Sequence, residues 1–349
     1  MKWRGDKIYF DTFGTSHSRE IIITATGLPE HTIDKEAMEA LLDRRRAKNT
    51  VYSTKRMEED VPVIKRDDEM FFRAEIRNHN VRSGDYNDLY GIPRPSHADY
   101  AAHLMDGRLD FSGGGEFSGR LTALLCVLGS VAKDILKGKG VTVSAWVSEI
   151  GGVTGATYKD GLTDEMLSCG EAGKWTPAKE EEMLAVIERA AAEKDSVGGR
   201  VECAVVGLPG AVGGGSFGSL EGKISSILYI IPALKAVEFG LGFGFASALG
   251  SVANDPLRMK DGAVTIVKND AGGINGGLSN GNPVTLGVAF RSTPSIGKKQ
   301  QSVDLVAGED REIEIKGRHD ACIVPRAVPV VEAAVAIAVL DAMLEGGKL

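Results

Sequence analysis

Paired redox cysteines, a basic surface and long apolar runs are all missing from this chain, and each absence removes a class of protein. The four cysteines, Cys126, Cys169, Cys203 and Cys322, stand far apart, with no CxxC pair and no Cys/His spacing that would hold a metal. They read as free thiols of a reducing cytosol, so a cytoplasmic location is expected. Lys and Arg number 41 against 48 Asp and Glu, a net charge of −7. A nucleic-acid surface would want the opposite sign. No run approaches 18 apolar residues, and Met1–Asp6 has no apolar signal stretch, so no membrane partner is expected. No GxGxxG turn follows a strand-like run, which argues against a dinucleotide-binding sheet.

Glycine, by contrast, is abundant, with 44 residues. It clusters at Gly113–Gly115, at Gly213–Gly215 and around Gly272, Gly273, Gly276 and Gly277. Such clusters mark tight turns and close backbone approach. Between them, Ile21–Thr26 is a β-rich run ended by Gly27. Thr32 or Asp34 caps a helix to about Arg46, with Met38, Leu41, Leu42 and Arg45 on one face. Ser118 opens a helix ended by Gly138, its Leu121, Leu124, Leu125, Leu128, Val131, Ala132 and Ile135 recurring at helical spacing. Strands are read at Val141–Glu149, Arg200–Leu208 and Val284–Phe290. Further helices are read at 178–194, from Leu220 until Pro232 stops it, and from about Pro329 to Leu344, the last apolar enough to be buried. No Pro/Ser-rich linker divides the chain, so one α+β domain over residues 1–349 is expected.

The chemistry-bearing residues fall on loops. His17 lies in Phe13-Gly14-Thr15-Ser16-His17-Ser18 and His97 in Arg94-Pro95-Ser96-His97-Ala98-Asp99. Histidine is the side chain whose ordinary pKa lets it move protons near neutral pH, and Asp99 is placed to set the His97 tautomer. The plain alternative for each is a turn histidine bonded to backbone. In Gly113–Arg120, glycines lead into a helix start bearing Ser118 and Arg120. That arrangement suits an anion, or else an ordinary capping serine. Arg44, Arg45, Arg46, Lys48, Lys55 and Arg56 put six cations into a short stretch of an acidic chain. A single arginine there would be a solvated helix end. Asn269–Gly281 reads as a ligand-hugging loop or a surface loop, and Arg318-His319-Asp320 sets a carboxylate beside a histidine. Protons, loops and cationic clamps together suit chemistry on a phosphorylated anion.

These segments resemble, in order and over nearly the whole length, the chorismate synthase family. Gly14–Ser18 is similar to its Gly-Glu-Ser-His-Gly start, and Leu42–Arg46 to its Leu-Asp-Arg-Arg-Arg. Arg82–Tyr86 resembles its Arg-Ser-x-Asp-Tyr, Arg94–Asp99 its Arg-Pro-x-His-Ala-Asp, and Ser118–Thr122 its Ser-Ala/Gly-Arg-x-Thr. Asp195–Gly198, Ala271–Ser279 and Gly317–Asp320 complete the set. Departures are Thr15, Ser18, Ala47-Lys48, Val51, Asn80, Glu116 and Arg291, where the family carries other residues.

The resemblance implies a β-α-β sandwich with antiparallel sheets, assembled as a homotetramer. It implies a carbon–oxygen lyase of aromatic amino acid biosynthesis (the shikimate pathway). That enzyme turns 5-enolpyruvylshikimate 3-phosphate into chorismate by 1,4-anti elimination of phosphate, with reduced FMN and no net redox change. Carried over by residue, His17 protonates the departing phosphate, His97 protonates or holds the reduced flavin, and Asp320 assists proton transfer. Ser16 and Ser118 match relay hydroxyls. Flavin contacts are implied at Glu116, Phe117, Ser118, Ala233, Gly276, Arg291, Ser292, Thr293, Pro294, Ser295 and Arg318. Substrate contacts are implied at Arg45, Arg46, Arg56, Arg120 and Arg318. With no dinucleotide fingerprint in the chain, reduction by an outside flavin reductase is favoured over intrinsic use of NADPH. A catalytically weak paralogue and a non-catalytic flavin-binding oligomer are the rival readings.

Overall fold

Period-two burial builds the first sheet: Ile21, Ile23 and Ala25 of β3 (Glu20–Thr26) are buried while their neighbours are not. In the computed structural model, which describes residues 1–48, 50–53, 59–66, 71–78, 89–111, 113–315 and 320–349, β3 sits centrally in an antiparallel sheet. Its order is β1 (Lys2–Arg4), β2 (Tyr9–Phe13), β3, β5 (Phe71–Arg77), β4 (Pro62–Arg66). A second antiparallel sheet runs β7 (Val153–Thr154), β6 (Thr142–Ile150), β8 (Gly199–Val206), β14 (Val284–Phe290), β9 (Leu234–Phe239). Three hairpins stand apart: β10 (Leu257–Lys260) with β11 (Ala263–Ile266), β12 (Ile274–Asn275) with β13 (Leu278–Ser279), and β15 (Gln300–Asp304) with β16 (Glu309–Ile313).

Helices fill the space between the sheets. α3 (Thr122–Lys137) packs on β3 and β5 of one sheet, and α8 (Val324–Glu345) on β6 and β8 of the other. The two helices cross closely because Gly129 has no β-carbon; one there would overlap Ala333. α1 (Lys35–Arg45) and α6 (Leu220–Leu228) flank α8, giving a sheet–helix–sheet sandwich of α+β class. α2 (Asp99–Asp106), α4 (Asp164–Ser168), α5 (Glu180–Ala192) and α7 (Gly250–Ala253) complete the helices among the described residues.

α8 is long and apolar enough to cross a membrane by length and composition, yet it is the buried centre of the sandwich. Its two buried carboxylates have dedicated partners. Asp341 accepts the backbone N–H groups of Asp6, Lys7 and Ile8 at 3.1, 2.7 and 2.8 Å, fixing the β1–β2 turn. Glu332 takes a two-pronged grip from Arg44 at 3.0 and 2.7 Å, and also pairs with Lys133. Burial opposes its ionisation, but Lys133 and Arg44 prevail and hold it down to about 2.

Three helix boundaries differ from the sequence reading, and one of them is the end of α6, at Leu228, four residues before Pro232. α3 begins at Thr122 because Gly119–Leu121 form a separate 3-10 turn, which Ser118 caps. α8 begins five residues before Pro329; Pro325 takes the favoured first-turn position and Pro329 lies inside the helix. The cysteines are all buried thiols. Burial pushes Cys126 and Cys322 up to about 12 and Cys169 to about 11, which leaves them unreactive near neutral pH.

Candidate active site

His17 sits on the loop between β2 and β3, which is tied to the glycine-rich loop before α3. The Ser16 N–H donates to the Gly115 carbonyl at 3.1 Å. Gly113 has φ +61°, and a β-carbon on it would overlap His17 Nε2. The ring therefore rests directly on a bare α-carbon. Replacing Gly113 by alanine should displace His17 and cost about 1–2 kcal/mol through the left-handed backbone. Turnover should fall far more than that stability loss explains. A G113A enzyme with normal turnover would show that the ring position is immaterial.

His97 is tied to the same loop through Arg94. Ser96 takes φ +59° and the His97 N–H bonds back to the Arg94 carbonyl, so the ring projects from a tight turn into α2. His97 Nδ1 lies 2.6 Å from Asp99 Oδ1. Arg94 meets the same carboxylate through Nε at 2.7 Å, Nη2 at 2.8 Å and its backbone N–H at 2.9 Å. Arg94 Nη2 also donates to the Phe111 and Gly113 carbonyls at 3.2 and 2.5 Å. One guanidinium thus joins the His97 turn to the backbone on which His17 rests. Burial penalises the Asp99 carboxylate, but the hydrogen bonds from Arg94 and His97 outweigh it and hold its pKa at about 2.

Asp99 and Glu332 set an acid limit on the fold. Both carboxylates have folded pKa values depressed below their unfolded values of roughly 4. The stabilisation they contribute is complete above pH ~4 and is lost as pH falls towards ~2, about 2–3 kcal/mol each. The urea midpoint should therefore drop steeply between about pH 4 and 2. A flat midpoint there would contradict the pairing.

Below these loops lies a buried charge cluster. Asp60, at φ +46°, places Oδ2 2.7 Å from Arg45 Nη1 and Oδ1 against Arg120 Nη1. The three side chains are 0–3% exposed. Arg45 also donates to Thr122 Oγ1 and to the Gly119 and Arg120 carbonyls, at 3.1, 3.0 and 3.2 Å. Arg120 Nε donates to Asn78 Oδ1 at 2.9 Å. Burial disfavours the Asp60 carboxylate, but the arginines more than compensate and lower its pKa. The consecutive arginines of α1 thus part company. Arg44 enters the core, Arg45 holds the loop at Ser118–Leu121 from beneath, and Arg46 turns back to Glu39 at 2.5 Å and to the Asp60 carbonyl at 3.3 Å. Glu116 pairs with Arg108 at 3.0 Å, and Phe117 beside it is exposed.

Further expected site residues arrive from the end of the second sheet. The Arg291 N–H bonds the Ala233 carbonyl at 3.0 Å, and Arg291 Nη1 reaches the Ser96 carbonyl at 2.7 Å, beside His97. Ser196 Oγ donates to the Thr293 carbonyl at 2.6 Å, which gives the Asp195–Gly198 motif a positioning task. A cleft of about 390 Å³ opens between Val51, Asp195, Ser295, Ile315 and Ala321. Asp320 adjoins it; Arg326 holds Asp320 at 2.9 Å and donates to the Arg45 carbonyl at 3.0 Å. Gly276 is not with this group. Its hairpin packs on the 211–220 segment, beyond the Val206/Val284 end of the sheet, whereas Arg291 follows Phe290 at the other end. Seven strand residues, roughly 20 Å, separate the two ends. Gly272 and Gly277 of that loop pack against backbone, at Gly240 and Gly215, whereas a β-carbon at Gly276 would meet open space. Arg56 and Arg318 lie outside the described residues. Sequence reasoning passed over Asp60, Asn78, Arg108 and Arg326, which carry no motif of their own.

Fold and loops define an α+β protein with two loop histidines braced by buried arginine–carboxylate pairs, a site suited to acid–base work on an anion. The sequence model of chorismate synthase matches residues 8–344. The chain is 40% identical to the chorismate synthase of Korarchaeum cryptofilum, with 97% of this chain and 96% of that one covered. It is 38% identical to that of Thermococcus kodakarensis, with 98% and 97% covered. A structure titled "Crystal Structure of Chorismate Synthase" superposes with a TM-score of 0.76 at 23% identity, covering 98% of this chain and 93% of that one. The chain belongs to the chorismate synthase family, and it is a lyase of aromatic amino acid biosynthesis.

Proposed function

We propose that His17 and His97 perform the proton work of phosphate elimination from 5-enolpyruvylshikimate 3-phosphate, giving chorismate. The observation that carries this reading is the Arg94 brace, which sets both histidines about one glycine loop beside the Arg291–Ser295 segment. His17 would neutralise charge as it develops on the leaving phosphate. The Arg45–Asp60–Arg120 cluster keeps the Ser118 loop in place beneath it.

The segment at Ala233 and Arg291–Ser295 suits reduced FMN. Thr293 Oγ1 is buried there without a hydrogen-bond partner among the described residues, which is what a polar cofactor edge would supply. Ser118, Ser295 and Arg291 would hold the flavin with it. When bound, reduced FMN lends electron density that is recovered by the end of turnover. A site on this scale needs no dinucleotide fold, so an outside reductant is the simplest source of reduced flavin.

Assembly as a homotetramer accords with Phe243, Leu249, Val252, Leu257 and Met259, which are exposed on one stretch of this chain. Sedimentation velocity would test it. The buried thiols suit the reducing cytoplasm in which we place the enzyme. The test of function is phosphate release under argon with chemically reduced FMN. Phosphate should appear in proportion to substrate while the flavin ends fully reduced. Flavin oxidised in step with product would sink the redox-neutral reading, and flavin binding without phosphate release would favour a non-catalytic protein.

A further inference from the structure

Resting on the proton role of His97 just proposed, we infer that Asp99, with Arg94, is a positioning pair that locks the proton of His97 on Nδ1, so that Nε2 is the nitrogen that exchanges protons. Three features carry this. First, the carboxylate is an acceptor only, and its Oδ1 lies 2.6 Å from His97 Nδ1, so Nδ1 must be the donor. Second, Arg94 Nη2, the donor 3.2 Å from the same nitrogen, has closer acceptors for its two protons in the Gly113 carbonyl at 2.5 Å and Asp99 Oδ1 at 2.8 Å, so it does not call for a bare Nδ1. Third, Asp99 cannot swing away. Arg94 binds Oδ2 through Nε and its backbone N–H, and Oδ1 through Nη2, while Pro95 stiffens the turn. Arg94 itself is anchored on the Phe111 and Gly113 carbonyls. The ring is therefore held by a carboxylate that is itself held at three points.

The pair acts through the ring. An orienting carboxylate of this kind is worth up to about 10⁴-fold in kcat where a histidine transfers protons. Asp99→Asn is the informative change. The amide oxygen of the variant, placed at the Oδ2 position, would keep the Arg94 backbone N–H and Nε satisfied. Its NH2 group, at the Oδ1 position, would lose the Arg94 Nη2 bond but donate to His97 Nδ1, moving the ring proton onto Nε2.

The test begins with the unaltered protein, without ligands. Nitrogen-15 spectra of the neutral ring, assigned by loss of the signals in His97→Asn, report which nitrogen is protonated. The Nδ1–H form is expected, and the Nε2–H form would overturn the proposal whatever any variant does. In Asp99→Asn the ring should switch to Nε2–H and kcat should fall about 10²-fold or more, with folding checked by the urea midpoint. An unswitched ring, or a switched ring with normal kcat, would also overturn it. Impaired His97→Ala alongside normal Asp99→Asn would remove only the positioning role. Normal turnover by both would remove the reading of His97 on which it rests.

Discussion

Alanine in place of His17 or His97 is expected to slow phosphate release by on the order of 10²–10⁴-fold, with the fold retained. Both rings are partly exposed loop residues rather than core, so little buried apolar surface is lost. The two variants should differ in character. His17 rests on the bare α-carbon of Gly113, so its removal opens space against that loop. Removing His97 takes one donor from Asp99 but leaves the three Arg94 bonds. Stability should therefore change by only about 1 kcal/mol in either case. Anaerobic turnover with reduced FMN, alongside urea unfolding, separates the effects. Wild-type turnover in both variants would remove their acid–base roles.

Asp60→Ala should be the most damaging single change to stability, at about 3–5 kcal/mol. Breaking a buried ion pair by deleting one partner leaves charge stranded away from water. Here one deletion affects two guanidinium groups, Arg45 and Arg120, each 3% exposed. The loop at Ser118 should loosen with them, because Arg45 holds the Gly119 and Arg120 carbonyls. Chemical denaturation measures the loss, and Asp60→Asn, with shape kept and charge removed, should fall in the same direction. A change below about 1 kcal/mol would mean that water or other groups replace the carboxylate freely.

Local periodicity made part of this architecture legible. α1 reads from its sequence because Asp34 caps it and Met38, Leu41, Leu42 and Arg45 share one face, as the structure shows. β14 reads because its seven residues form a buried run between loops. The first sheet was visible only at β3, since β1, β2 and β4 have five residues or fewer and β5 interleaves its apolar residues with Arg73, Glu75 and Arg77. The histidine loops were legible as loops, because glycine, serine and proline exclude regular structure there. Their bracing was not. Asp60 follows Glu58 and Glu59 and looks like part of a solvated acidic run, whereas its partners lie 15 and 60 residues away. Consecutive arginines were equally opaque: successive residues on a helix point about 100° apart, so Arg44, Arg45 and Arg46 face three surroundings that only the packed helices define. The glycines near Gly276 look the same in sequence whether they admit a ligand or another backbone.

The central helix has a bearing on how the chain is made. α8 emerges from the ribosome after every strand of both sheets, yet it supplies the surface on which β6, β8, α1, α3 and α6 settle. Until Val324–Glu345 is available, Arg44 and Lys133 lack Glu332, and the first turn of the chain lacks the Asp341 carboxylate, 334 residues downstream of Lys7. The second sheet must therefore wait with its inner face uncovered, a state prone to aggregation and shielded in cells by chaperones. Maturation is governed by the arrival of one late segment, and the contacts that complete it are the most distant in sequence, which makes them slow to find.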